Sequence, residues 1–226
     1  MLRKNKLNEK TKYKSIKTFL KKTPLYSVIQ TYYLGKEIFL WLIKGKPVPP
    51  PQIVKMWTIK KYAKRFGIST LVETGTYLGD LLWYTRHFFK QAYSIELDSK
   101  LAKQCRVRLA QYPNIHIFKG DSSKILKKIL PLIKKPAVFW LDAHYSGGIT
   151  AKGKTETPIL DELKYISSRS TLLHIILIDD ARCFNGTRDY PTIKVLKATV
   201  IRLFPNYSFN IKNDIIRIVP KFISKS

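Results

Sequence analysis

The chain is poor in several kinds of residue, and each shortage excludes something. Two cysteines, Cys105 and Cys183, are too few for a disulfide framework or a four-ligand zinc site. The four histidines, His87, His116, His144 and His174, show no pair at the spacing of a helical metal motif. The longest apolar run near the N-terminus is Ile38–Ile43, far below the roughly 20 residues that cross a bilayer, and Lys36 and Glu37 interrupt the wider segment. No small-residue cleavage site of the secretory kind follows it. Reduced thiols and a cytoplasmic location are therefore expected. Acid is scarcest of all: 15 Asp+Glu stand against 42 Lys+Arg, a net charge of +27. Such an excess suits an anionic partner (lipid, nucleic acid or a phosphorylated substrate). The abundance of Lys, Ile, Asn and Tyr also fits an AT-rich coding source, which explains many lysines but not so few acids.

What is present suits one α/β domain with an appendage: 226 residues at 45% hydrophobic content, enough to bury a sizeable core. Residues 1–52 read as a basic extension and linker. From Ile16 to Ile43 apolar residues recur at three- and four-residue spacing, a helical signal that Pro24 splits and the Pro47–Pro51 stretch ends. Two readings of this extension stand. Residues 1–46 either lie on an anionic membrane surface or pack on their own domain or a second subunit of a homo-oligomer.

Residues 53–226 read as the main domain. A helix from Ile53 to Phe66 precedes strands near 69–73, 92–97, 115–119, 137–142 and 174–179. Helices near 79–89, 99–111, 122–133, 158–167 and 191–204 alternate with them. This alternation predicts parallel strands with right-handed crossovers. Two last strands, 207–212 and 215–219, are joined only by Asn213-Asp214 and should form an antiparallel hairpin. The expected fold is thus Rossmann-like: a seven-stranded, mostly parallel sheet ending in that hairpin.

Seven of the scarce acids fall at predicted strand ends: Glu73, Glu96, Asp98, Asp121, Asp142, Asp179 and Asp180. Ligands of open α/β sheets bind at the carboxyl ends of the strands. Carboxylates gathered there imply a ligand bearing hydroxyls, amines or a metal ion. The loop Glu73-Thr-Gly75-Thr76-Tyr-Leu-Gly79-Asp80 follows the first strand. Gly75 permits a tight turn and close ligand approach, and Gly79 lets the helix start pack near the strand. The spacing is G-x-x-x-G, so the dinucleotide fingerprint is not met and a nicotinamide enzyme is disfavoured. Glu96, 21 residues after Gly75, is placed to accept hydrogen bonds from ribose hydroxyls, with Asp98 as a helix cap. Asp121, in Gly120-Asp121-Ser122, either accepts from an adenine amino group or caps the next helix, and the two roles are compatible.

These motifs, E-T-G-T-Y-L-G-D, I-E-L-D and K-G-D-S, stand in the order and spacing of the class I S-adenosylmethionine-dependent methyltransferases, and residues 53–219 resemble that family. The resemblance implies S-adenosyl-L-methionine as cofactor. Glu73, Gly75 and Gly79 would flank its methionine part, Glu96 its ribose and Asp121 its adenine, with Thr76 and Ser122 beside them.

Asp142-Ala-His144-Tyr145 ends the fourth strand and Asp179-Asp180 the fifth, and these strands are neighbours in this fold. Three carboxylates could converge on a hard cation such as Mg²⁺, with His144 as general base for an acceptor hydroxyl. The arrangement resembles the metal-dependent sugar O-methyltransferases, which implies Asp142, Asp179 and Asp180 as metal ligands and Asp142 with His144 at the reacting centre. Alternatives stay open: a helix cap and a surface acid for Asp179-Asp180, and a loop histidine for His144. Arg182 either binds a substrate anion or pairs with a nearby acid. The basic stretch from Ser146 to Lys154 reads as a substrate-covering loop.

The expected reaction is O-methylation of a hydroxylated small molecule, a saccharide or lipid-linked glycan. Ribose 2′-O-methylation of RNA is the first rival, supported by charge. Nucleic-acid amino-methylating enzymes carry Asn/Asp-Pro-Pro-aromatic where this chain has Asp142-Ala-His-Tyr, so nucleic acid is the less favoured partner. A non-catalytic membrane-surface protein leaves the carboxylate series unexplained.

Overall fold

The computed structural model describes residues 35–142, 157–168 and 171–221. The chain divides into two compact units between Pro47 and Val48. In the first, residues 35–43 are helical, as the spacing of Ile38, Phe39 and Leu42 predicts. The Trp41 indole Nε1 donates to the Pro47 carbonyl at 2.8 Å, tying the helix to the proline stretch that follows it. Among the described residues no helix is long and apolar enough to cross a membrane.

The second unit is built on a seven-stranded sheet of order β3-β2-β1-β4-β5-β7-β6. The strands are β1 (Thr70–Thr74), β2 (Gln91–Glu96), β3 (Ile115–Lys119), β4 (Val138–Leu141), β5 (Ile175–Ile178), β6 (Tyr207–Lys212) and β7 (Ile215–Pro220). The first five pair in parallel, and β7 runs antiparallel to both β5 and β6. The expected sheet and terminal hairpin are both present. The hairpin turn is Asn213-Asp214, with φ of 53° and 60°. Positive φ at both central positions is the twist-matched two-residue geometry, which Asn and Asp tolerate well.

The helices are α1 (Gln52–Arg65), α2 (Asp80–Thr85), α3 (Ser99–Leu109), α4 (Ser122–Ile129), α5 (Ile159–Ser167) and α6 (Ile193–Leu203). Residues of β4 and β5 alternate between two buried faces, because successive side chains of a strand point to opposite sides. Phe139, Leu141, Ile176 and Ile178 share a core with Leu126 of α4, Leu163 of α5 and Leu196 of α6. The intervening Val138, Trp140, Ile175 and Leu177 are buried too, on the face where α1 packs against β4 and β5. That parity decides where the strand-end acids point.

Two helices are shorter than the sequence predicts. The helix expected over 79–89 stops at Thr85. There the Arg86 guanidinium donates to the Trp83 carbonyl and Lys60 Nζ to the Tyr84 carbonyl at 3.1 Å, so side chains take carbonyls that a further turn would use. The chain must also return at once to β2, where Lys90 N donates to Ser69 O at 2.8 Å. The helix expected over 122–133 is α-helical only to Ile129 and finishes as a 3₁₀ turn, Leu130–Leu132, with Pro131 inside it.

Candidate active site

In a parallel sheet the carboxyl ends of β1 to β5 form one edge, and Glu73, Glu96, Asp121, Asp142, Asp179 and Asp180 all stand along it. The glycine loop opens it. Gly75 has φ 85° and Gly79 φ 74°, left-handed conformations that glycine adopts without strain. A Cβ on Gly79 would lie 3.2 Å from the Cys105 Sγ of α3. Gly79 therefore makes room for α3, a helix contact rather than the strand contact that the sequence suggested.

The loop is fastened to β2. Gly75 N and Thr76 N both donate to Ile95 O, at 2.9 and 3.2 Å. Glu96 carries the far side: its Oε2 accepts from Tyr77 N at 2.7 Å and its Oε1 from Asp98 N at 2.9 Å. Each carboxylate oxygen has a further lone pair, so this bracing is compatible with accepting from ribose hydroxyls. Asp98 caps α3, accepting from Lys100 N and Leu101 N, and Asp121 caps α4, accepting from Ser123 N at 3.0 Å and Ser123 Oγ at 2.7 Å.

Glu73 and Ser94 are register partners on β1 and β2. The Ser94 hydroxyl donates to Glu73 Oε2, and Thr76 Oγ1 lies 2.6 Å from Ser94 Oγ. All three are buried. Burial pushes the Glu73 carboxyl up to about 8, against the Ser94 hydrogen bond and with help from Asp142 and Glu96. Ser94 thus links Glu73 to Thr76 beneath the loop. Burial also raises Glu96, while backbone hydrogen bonds from Asp98, Tyr77 and Leu97 oppose the rise.

At the ends of β4 and β5 the pleat explains the cluster. Trp140 pairs with Leu177 and Leu141 with Ile178, so the next pair brings Asp142 beside Asp179. Carboxylate oxygens of Asp142, Asp179 and Asp180 lie within 4.8 Å of one another. The structure brings these three side chains together. Asp179 is buried and accepts from Asp180 N at 2.9 Å. Asp180 sits in the left-handed region, φ 53°, and its side chain makes no capping bond to the 3₁₀ turn that follows. Arg182 Nη1 donates to Asp180 Oδ1 at 2.7 Å and also pairs with the Asp214 carboxylate. The salt-bridge reading of Arg182 is the one the structure adopts.

Two residues escaped the sequence reading. Lys55 of α1 donates to Asp179 Oδ2 and lies 3.9 Å from Asp180 Oδ1. Burial opposes its charge, but Asp179, Asp142 and Asp180 outweigh burial and raise its pKa. Glu162 of α5 is buried at 1% exposure and lines a pocket with Asp142, Asp179, Thr157, Phe184 and Tyr190. Burial pushes its carboxyl up to about 7, against hydrogen bonds from Ser122 and Thr74. A signal existed: Ile159, Glu162, Leu163 and Ile166 are the buried positions of α5, at one-face helical spacing. His144 and the stretch from Ser146 to Lys154 lie outside the described residues.

The donor set suits a hard cation: three aspartate carboxylates and no sulfur or imidazole among the grouped residues. The glycine-loop edge has the features expected for an adenosyl ligand, with glycines at the close-approach positions and carboxylates at the ends of β2 and β3.

No protein-family model and no curated protein matches the chain. Solved structures do. An O-methyltransferase from Bacillus cereus in complex with SAH is 13% identical, with 82% of this chain and 90% of that one covered and a TM-score of 0.53. A SAH-bound methyltransferase from Podospora anserina is 16% identical over 88% and 97%, also at 0.53. The O-methyltransferase TomG from Streptomyces achromogenes, involved in tomaymycin synthesis and solved with SAM, is 12% identical over 83% and 89%, at 0.50. Identities this low speak to architecture, and with the strand order and hairpin they agree: the chain has the class I S-adenosylmethionine-dependent methyltransferase fold.

Proposed function

We propose that the protein is an S-adenosylmethionine-dependent O-methyltransferase. Its acceptor is a hydroxylated small molecule, a saccharide or lipid-linked glycan, and Mg²⁺ assists at Asp142, Asp179 and Asp180. The observation that carries this reading is the meeting of three carboxylates beside the glycine-loop edge. S-adenosylmethionine, when bound, supplies an electrophilic methyl group. A divalent cation held by the three aspartates would favour the ionised form of an acceptor hydroxyl. Glu96 and Asp121 hold the adenosyl part, the glycine loop admits the methionine part, and Asp142 orients the acceptor. His144 takes the hydroxyl proton. The fixed loop geometry supports rapid positioning, since little ordering remains to be done on binding.

The experiment is calorimetric binding of S-adenosylmethionine, then methyl transfer to nucleotide sugars, glycans and RNA in parallel. Asp142→Ala should retain cofactor binding and lose at least a hundredfold in turnover; unchanged turnover rejects the proposed centre. The net charge of +27 favours a second reading, ribose 2′-O-methylation of RNA, and transfer to RNA alone would select it. The same charge supports peripheral contact with anionic membrane through residues 1–46.

A further inference from the structure

Two of the chain's own cations already serve the acidic cluster, and they are held very differently. Arg182 is anchored at three points: its backbone N donates to Asp214 Oδ1 at 2.8 Å, and its guanidinium bridges Asp180 and Asp214. Lys55 approaches from the opposite side, from α1, at the end of a flexible four-carbon stem. Its side chain is 14% exposed and that of Asp179 is 1% exposed. Carboxylates this close and this buried need neutralising, because a buried charge without a partner is strongly disfavoured.

We propose that Lys55 is a resident counter-ion of the Asp142–Asp179–Asp180 cluster, and that a divalent cation binds there by displacing the Lys55 ammonium group. The inference rests on the reading of the cluster as a cation site. Lys55 donates to Asp179 and faces Asp180, so it uses oxygens that the cation also needs. The ammonium is a point charge with no fixed fork, and the stem lets it swing away while α1 stays in place. Arg182 is fixed by Asp214 and remains. Cation loading is thereby set by a competition between one lysine and the ion, so affinity for the ion is moderate and occupancy follows its free concentration.

The test uses Mn²⁺ as the probe ion on the full chain, with free Mn²⁺ read by electron paramagnetic resonance and melting temperature recorded with and without the ion. Lys55→Met should bind Mn²⁺ at least tenfold more tightly than the unaltered protein and melt lower in its absence. Lys55→Gln keeps a hydrogen bond to Asp179 without the charge and should shift affinity in the same direction, so a poorly folding Met variant does not decide the matter. Asp142→Asn should lose the binding, which places it in the cluster. Equal or weaker Mn²⁺ binding by a folded Lys55→Gln protein overturns the competition while leaving the cation site intact. Absence of Mn²⁺ binding in both folded proteins overturns the cation reading itself, and the competition with it.

Discussion

Ser94 donates its hydroxyl hydrogen to the carboxyl group of Glu73, joining β2 to β1 directly beneath the glycine loop. Glu73 is fully enclosed, and its ordinary value of 4.5 rises to about 8. The folded state therefore holds a proton that the unfolded chain releases. Stability from this group is full below pH 4.5 and is lost as the pH climbs toward 8. The loss is on the order of 4 kcal/mol across that window. Glu73→Gln should flatten the slope of unfolding free energy against pH in denaturant titrations. An unaltered slope would mean that Glu73 is ionised in the folded protein.

Glu162 has the same sign and a narrower window, from 4.5 to about 7. Glu162→Gln keeps an acceptor for Ser122 and Thr74 and should cost less than about 1.5 kcal/mol. Glu162→Ala opens a cavity and strands both hydroxyls, and should cost about 2–4 kcal/mol in chemical denaturation. Equal stabilities for the two variants would show that its hydrogen bonds carry no weight.

Removal of divalent ions checks the other half of the site. Methyl transfer should stop in chelator and return when Mg²⁺ is added in excess. Full activity in chelator would assign the chemistry to the side chains alone.

Deletion of residues 1–46 should weaken binding to vesicles rich in anionic lipid by tenfold or more at low salt, since each lysine near such a surface is worth about 1 kcal/mol. Neutral vesicles are the control. Equal binding by the shortened protein would move the basic contact to the domain that starts at Val48.

The strand ends were readable because each is a short apolar run closed by an acid, and the parallel order then puts those acids on one edge. Asp142 and Asp179 could be paired from sequence for the same reason. Lys55 could not. It meets Asp179 across 124 positions, through the angle at which α1 lies on β4 and β5, and nothing local in Val54-Lys55-Met56 marks that lysine among its neighbours. Glu162 was hidden by its type, since an acid in the first turn of a helix is ordinarily solvated and favoured there by the helix dipole. The short α2 reflects competition from Arg86 and Lys60 for carbonyls, a tertiary and rotameric matter that hydrophobic spacing does not encode.

The hairpin turn makes the acidic cluster depend on strands that follow it in sequence. Asp214 receives the Arg182 backbone and guanidinium, and its own carbonyl accepts from Ala181 N at 2.8 Å. Arg182 in turn holds Asp180. Lys55 holds the cluster from α1 and Arg182 holds it through the hairpin turn, so residues from both ends of the domain meet at the same acids. Loss of the hairpin would remove the Asp214 anchor of Arg182 while the glycine loop kept its own hydrogen bonds to β2.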